Sequence, residues 1–265
     1  MKSQRKGTKT ILLPGLLLAS LALSLVLPVY AQSASSSQAA AQSRTEAQLE
    51  TASQALIYHD ARLAFQLATA VINADPKNAS AFFIRGKARA EYADNKNALV
   101  DLSRGMSLAP ACADPSVFLT MAQAYLQLKE PERALHALQV GNLQKPNLEL
   151  YKLSAGINNS LGHDKEALLD IEKALHCDHS SRTMLLLRGS LYDNKGDYEH
   201  AIKDYNRVIE ISTKGNFKDS NWLKAMSKRA NDYEKSGKKE LARSDREALN
   251  KEGSSWEKDL FDVAK

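Results

Sequence analysis

The chain has 265 residues, 43% hydrophobic and 6% aromatic, with 36 Lys and Arg against 31 Asp and Glu, a formal charge of +5. Two cysteines exclude a disulfide-built miniprotein, and 12 glycines and 7 prolines in this length exclude a collagen-like or low-complexity chain. The excess of base is no argument for a nucleic-acid partner: Lys2, Arg5, Lys6 and Lys9 precede the first acid, and without them the charge is +1.

Those four bases open a leader. An apolar run from Ile11 to Val29 follows, and Val29-Tyr30-Ala31 ends it with small residues at the two positions a signal peptidase reads. Two readings stand: a secretory signal cleaved between Ala31 and Gln32, or a retained membrane anchor. Pro14, Gly15 and Pro28 interrupt the run and leave Leu16 to Leu27 unbroken, which is short for a span. On either reading the rest of the chain is expected outside the cytoplasm, in a periplasmic or secreted setting, because the basic end stays inside. Residues 32–44, uncharged up to Arg44 and poor in large apolar groups, are expected to form a flexible linker.

From residue 45 the sequence repeats. An alanine recurs at 64, 98, 134, 167, 201 and 242, at steps of 34, 36, 33, 34 and 41, and a bulky residue follows four later at Leu102, Leu138, Ile171 and Tyr205. Twelve residues before each alanine stands a small one: Ala52, Gly86, Ala122, Ala155, Gly189 and Ala230. Four residues earlier again come Phe82, Phe118, Tyr151, Leu185 and Met226, and prolines at 76, 110 and 146 close three units. The spacing predicts pairs of amphipathic helices, with small residues where the backbones approach. Gly162, Gly196 and Gly237 are placed to end first helices in the left-handed conformation, and Asp197 to cap the helix that follows.

This pattern resembles the tetratricopeptide repeat family, whose 34-residue unit carries W-x2-L-G-x2-Y, then A-x3-F, then P. The unit from Pro115 shows it best, with Phe118, Met121, Ala122, Tyr125, Ala134, Leu138 and Pro146 at that spacing. Departures are the absent Trp, His179 and Thr213 in place of proline, and irregular end units. The resemblance implies an all-α, right-handed superhelical solenoid of about six helix-turn-helix units, at about 45–78, 79–112, 115–147, 148–181, 182–215 and 223–252. Residues 253–265 are expected to form a separate capping helix: Ser254 and Glu257 make a capping box, and Trp256, Leu260 and Val263 share one face.

Ligand-facing places carried over from the family fall on Phe83, Lys87, Leu119, Gln123, Lys152, Asn159, Leu186, Ser190, Asp193, Lys224, Lys228 and Asn231. By this reading the groove is more apolar towards its N-terminal half and more basic towards its C-terminal half, since residues 214–252 hold eleven bases against seven acids. Some family members clamp a peptide carboxylate; Lys152, Lys224 and Lys228 match three of the five clamp places, while Gly156 and Leu187 replace its asparagines.

Other patterns point to less. His176, Cys177 and His179 are metal-ligand types, but offsets of one and three do not gather three ligands on one helix face, so no metal or other cofactor is expected. Cys112 and Cys177 belong to turns of different units, too far apart to pair, and are expected to be unpaired thiols, buried or nearly so, with exposure left open for Cys112, which sits in a longer connection. Asn78 and Asn158 match the glycosylation pattern, although a glycan would not fit at Asn158. The carboxylates Asp101, Asp193, Asp197 and Asp204 have ordinary solvated-helix or capping explanations. No nucleophile elbow, zinc-protease or phosphate-loop motif occurs, so no enzymatic activity is expected. The expected function is non-catalytic binding of a peptide or protein segment in the groove, with no nucleic-acid partner and no membrane contact beyond an uncleaved leader. The alternative is an assembly factor of a cell-envelope complex, docking through its convex face or C-terminal helix.

Overall fold

The computed structural model describes residues 38–215 and 218–263, with side chains through residue 252. The leader, the Ala31–Gln32 cleavage point and the Trp256 face lie outside the described residues or side chains. Among the described residues there are twelve α-helices and no strand: α1 (38–57), α2 (Ala61–Ala74), α3 (Ala79–Glu91), α4 (Asn95–Leu108), α5 (Pro115–Gln127), α6 (Pro131–Gln144), α7 (Leu148–Ser160), α8 (Asp164–Cys177), α9 (Arg182–Asn194), α10 (Tyr198–Lys214), α11 (Ser220–Lys235) and α12 (Lys239–Val263). They pair as six hairpins, and a 3-10 turn at Pro110–Cys112 separates the second hairpin from the third.

The small residues do the work their spacing suggests. Ala52, Ala122, Ala155 and Ala230 on first helices, and Ala64, Ala98, Ala134, Ala167, Ala201 and Ala242 on second helices, are at most 1% exposed. At the two glycines the approach is closer still. A Cβ on Gly189 would lie 2.6 Å from Cε1 of Tyr205, and one on Gly86 would lie 2.7 Å from Cδ2 of Leu102. The bulky residue of the second helix, rather than the alanine four before it, therefore fills the space a side chain would take.

Each of the six first helices ends in the same way. Seven residues after every small residue the backbone turns left-handed, at Gly162, Gly196 and Gly237 with φ of 76°, 76° and 78°, and also at His59, Ala93 and Lys129 with φ of 58°, 59° and 62°. The turn is thus common to all six units, and three of them accept its steric cost. Asp197 then caps α10 through a bond from the His200 amide at 3.3 Å, as Asp60 caps α2 and Asn78 caps α3.

Three expectations at the ends and turns need correction. Residues 38–44 of the expected linker are helical and begin α1, since the alanines and glutamines there are good helix formers. No separate helix starts at Ser254; α12 runs unbroken to Val263, because a capping box cannot end a helix that already passes through it. Both cysteines are free, and Cys177, at the end of α8, is exposed rather than buried; Cys112, in the 3-10 turn of the longer connection, is exposed as well.

Candidate functional site

Contacts join first helices α3 with α5, α5 with α7 and α9 with α11, on the side of the stack that the first helices share. A cavity of about 650 Å³ opens on it, lined from α5, α7, α9 and α11. Seven of the twelve groove residues expected from sequence meet there: Leu119, Gln123, Lys152, Leu186, Ser190, Lys224 and Lys228. Gly156 and Leu187, which stand at the asparagine places of the family's clamp, line it as well. All five clamp positions thus converge on one cavity, with two of its hydrogen-bonding groups replaced by a bare backbone and an isobutyl group.

The cavity's charge is uneven. Lys152 is neutralised by Glu149 at 2.9 Å. Lys224 and Lys228, four residues apart on α11, have no ion-pair partner among the described residues. Thr183, Ser190 and Asn221 add polar groups, and Leu119, Leu153, Met184, Leu186 and Leu187 supply an apolar floor.

A second cavity of about 660 Å³ lies nearer the N-terminus and holds Lys87 and Gln123. Its other lining groups include Glu91, Asn95, Ser116, Thr120 and Gln127, and Lys87 is paired with Asp114 at 3.1 Å. The expected division of the groove is not seen: Leu56 and three alanines share the N-terminal cavity with these polar groups, while the larger apolar side chains and two lysines without an ion pair among the described residues occupy the same, C-terminal cavity. Phe83 is the main reason. It is not in the groove but 5% exposed in the core, its ring seated against Gly105 of α4, where no Cβ stands in the way.

Asn159 and Asn231 are exposed and line neither cavity. Asp193 serves as a joint between α9 and α11, accepting from Lys235 at 2.7 Å. The carboxyl of Asp232, wholly buried, lies beside it. Burial, and then the Asp193 carboxyl, push Asp232 up to about 7. Burial works against a charged Asp193 too, but the bonds from Lys235 and Asp232 outweigh it and hold Asp193 below the ordinary carboxylate range. Near neutrality the pair can share one proton, with the Lys235 ammonium close by.

A set of residues missed at the sequence level ties three of the six hairpins together, the second, fifth and sixth. Arg85 bonds Asp101 through Nε at 2.8 Å and Nη2 at 2.7 Å; Arg188 holds Asp204 at 2.9 and 2.8 Å; Arg229 holds Asp245 at 2.8 and 2.6 Å. Each pair is sixteen residues apart and joins a first helix to its second. Asp101 and Asp204 are thus buried ion-pair members rather than solvated carboxylates, while Asp197 is the cap expected. Reading the six units in register would have shown the Arg and Asp columns.

Among the described residues no cluster of three or more metal-ligating side chains exists, and no helix is long and apolar enough to cross a membrane. His176 and His179 stand with ring centroids 6.2 Å apart at the end of α8.

Residues 183–214, which span most of α9 and all of α10, match the model of the tetratricopeptide repeat. Solved structures agree in fold: the C-terminal part of a repeat-containing protein from Cytophaga hutchinsonii has a TM-score of 0.64 at 16% identity, covering 76% of this chain and 77% of that one. The fold is that of a tetratricopeptide-repeat solenoid. The same architecture is found in YrrB, described as a tetratricopeptide protein with an unusual peptide-binding site, with a TM-score of 0.53 at 16% identity over 64% of this chain and 87% of that one. In sequence the chain is similar to a homologue of DnaJ subfamily C member 7 from Schizosaccharomyces pombe, 24% identical in an alignment 171 positions long that covers 59% of this chain. The chain spans 36% of the length of that relative.

Proposed function

We propose that the solenoid is an extracytoplasmic, non-catalytic binding module that holds a peptide or protein segment in the cavity lined by α5, α7, α9 and α11. The observation that carries this reading is the convergence of four successive first helices on one cavity with an apolar floor and two lysines that make no ion pair within 4.0 Å among the described residues. A preformed concave surface of this kind takes up an extended or helical segment without large reorganisation. The description of YrrB as having a peptide-binding site adds support by analogy of fold.

The preferred segment is acidic with apolar side chains. Leu187 and Gly156 cannot orient a terminal carboxylate by hydrogen bonds, so Lys224 and Lys228 attract charge rather than read a chain end. An amidated acidic amphipathic peptide, titrated by calorimetry, is the probe. Replacing Lys224 and Lys228 together by Ala should weaken its binding several-fold at low salt, and raising the ionic strength should weaken the wild-type complex steeply, with the melting midpoint nearly unchanged. Equal affinities for wild type and double variant would remove this cavity from the function.

Export rests on the leader. Its basic start, apolar run and Val29-Tyr30-Ala31 ending support a mature chain that begins at Gln32. Intact mass of the protein recovered from its native compartment decides this, and Met1 retained in a membrane fraction would favour an anchor.

The second reading, docking through the convex side, has one observation in its favour. Leu143 on α6 and Leu169 on α8 are 80% and 52% exposed on adjacent second helices.

A further inference from the structure

The column of polar pairs changes character in the fourth hairpin. In the second, Asp101 receives two guanidiniums, from Arg85 and from Arg89 at 2.7 Å, and Arg85 lies over the Phe82 ring, 5.4 Å from its centroid. In the fourth, the same four places hold Asp170, Ser154, Asn158 and Tyr151. The carboxylate and the aromatic ring are kept, and both arginines are replaced by short neutral side chains.

The consequence is a carboxylate without a cation. Ser154 Oγ donates to Asp170 Oδ2 at 2.5 Å and Asn158 Nδ2 donates to the same oxygen at 3.0 Å. Asp170 Oδ1 has no donor, and Asp170 no ion pair, among the described residues. A cavity of about 500 Å³ between α6, α7 and α8 is lined by Asp170, Tyr151 and Glu166, with the exposed Leu143 and Leu169 also on its wall.

We propose that this cavity takes an arginine side chain presented by a partner protein. A guanidinium placed there finds much of what Arg85 finds in its own hairpin: a carboxylate whose Oδ1 is open to its N–H donors, and an aromatic face to lie on. Glu166 adds a second negative charge, and Leu143 and Leu169 cover the aliphatic stem. Lys173 opposes it, its ammonium 5.6 Å from the Tyr151 ring centroid, and His163 stands at the same wall. Lys173 makes no bond to Asp170, and its flexible stem lets it swing out when a guanidinium arrives. The cavity lies between α7 and the second helices α6 and α8, shares no lining residue with the peptide cavity, and the proposal does not rest on that cavity.

The test uses the amidated peptide acetyl-Leu-Arg-Leu and its neutral citrulline counterpart, titrated against the full chain by NMR. The arginine peptide should give saturable shifts in amides of α7 and α8, at least several-fold stronger binding than citrulline, and Asp170→Asn should abolish the difference. Ser154→Arg supplies the guanidinium from within: it should raise the melting midpoint and block the peptide. Equal binding of the citrulline peptide, or undiminished arginine binding by either folded variant, overturns the proposal. The acidic peptide probes the other cavity separately, so failure of one reading is distinguishable from failure of the other.

Discussion

Replacing Gly189 with leucine should cost the solenoid about 3 kcal/mol, near the upper end for an overpacked core. Even the first added carbon would sit 2.6 Å from the Tyr205 ring, and Tyr205 is fully buried in the cluster that joins α7 to α11. The ring has nowhere to retreat, so the two helices must part. Gly196→Leu is the control: nothing lies within 4 Å of its position, but φ is 76°, so the cost there is local backbone strain of about 1–2 kcal/mol. Thermal melts followed by circular dichroism compare the two. An unchanged midpoint for Gly189→Leu would contradict the helix packing.

Asp101→Ala should destabilise by about 3 kcal/mol, the low end for removing one member of a buried ion pair. The substitution deprives two guanidiniums of their acceptor at once, since Arg85 and Arg89 both bond Asp101 at 2.7 Å. The arginine side chains are 16% and 23% exposed, so each can recover part of its hydration, which keeps the loss from being larger. Changing Arg85, Arg89 and Asp101 together to apolar residues of similar size should restore much of the stability, because the burial penalty then disappears with the charges. Urea unfolding of the single and triple variants measures both effects. A single variant as stable as wild type would mean that the pairs do not hold the hairpins.

The hairpins were readable because close approach of helices demands small residues at fixed spacing, and Gly86, Ala122, Ala155 and Gly189 met that demand visibly. The Arg and Asp columns were not read, although the letters were present. An aspartate on an amphipathic helix usually faces water, and Asp101 is distinguished from a solvated residue by a partner sixteen positions earlier on the antiparallel helix. Lys152, Lys224 and Lys228 were assigned to the groove by the family's clamp places, and the structure brings them to one cavity. Phe83 does not reach the groove, because its direction is set by a vacancy at Gly105 on the next helix, a fact about a neighbour rather than about its own unit. Ser254 misled for a related reason: a cap is a local preference, and the hydrogen bonds of an established helix override it.

The pattern of contacts along the stack bears on how the molecule comes to exist. The substantial contacts between described helices join neighbours in the chain or first helices of adjacent units, and none spans the stack from end to end. No long loop has to close before native structure is rewarded, which is the condition for rapid folding. Each hairpin can settle on the one made before it, so the solenoid can grow in the order in which its residues emerge.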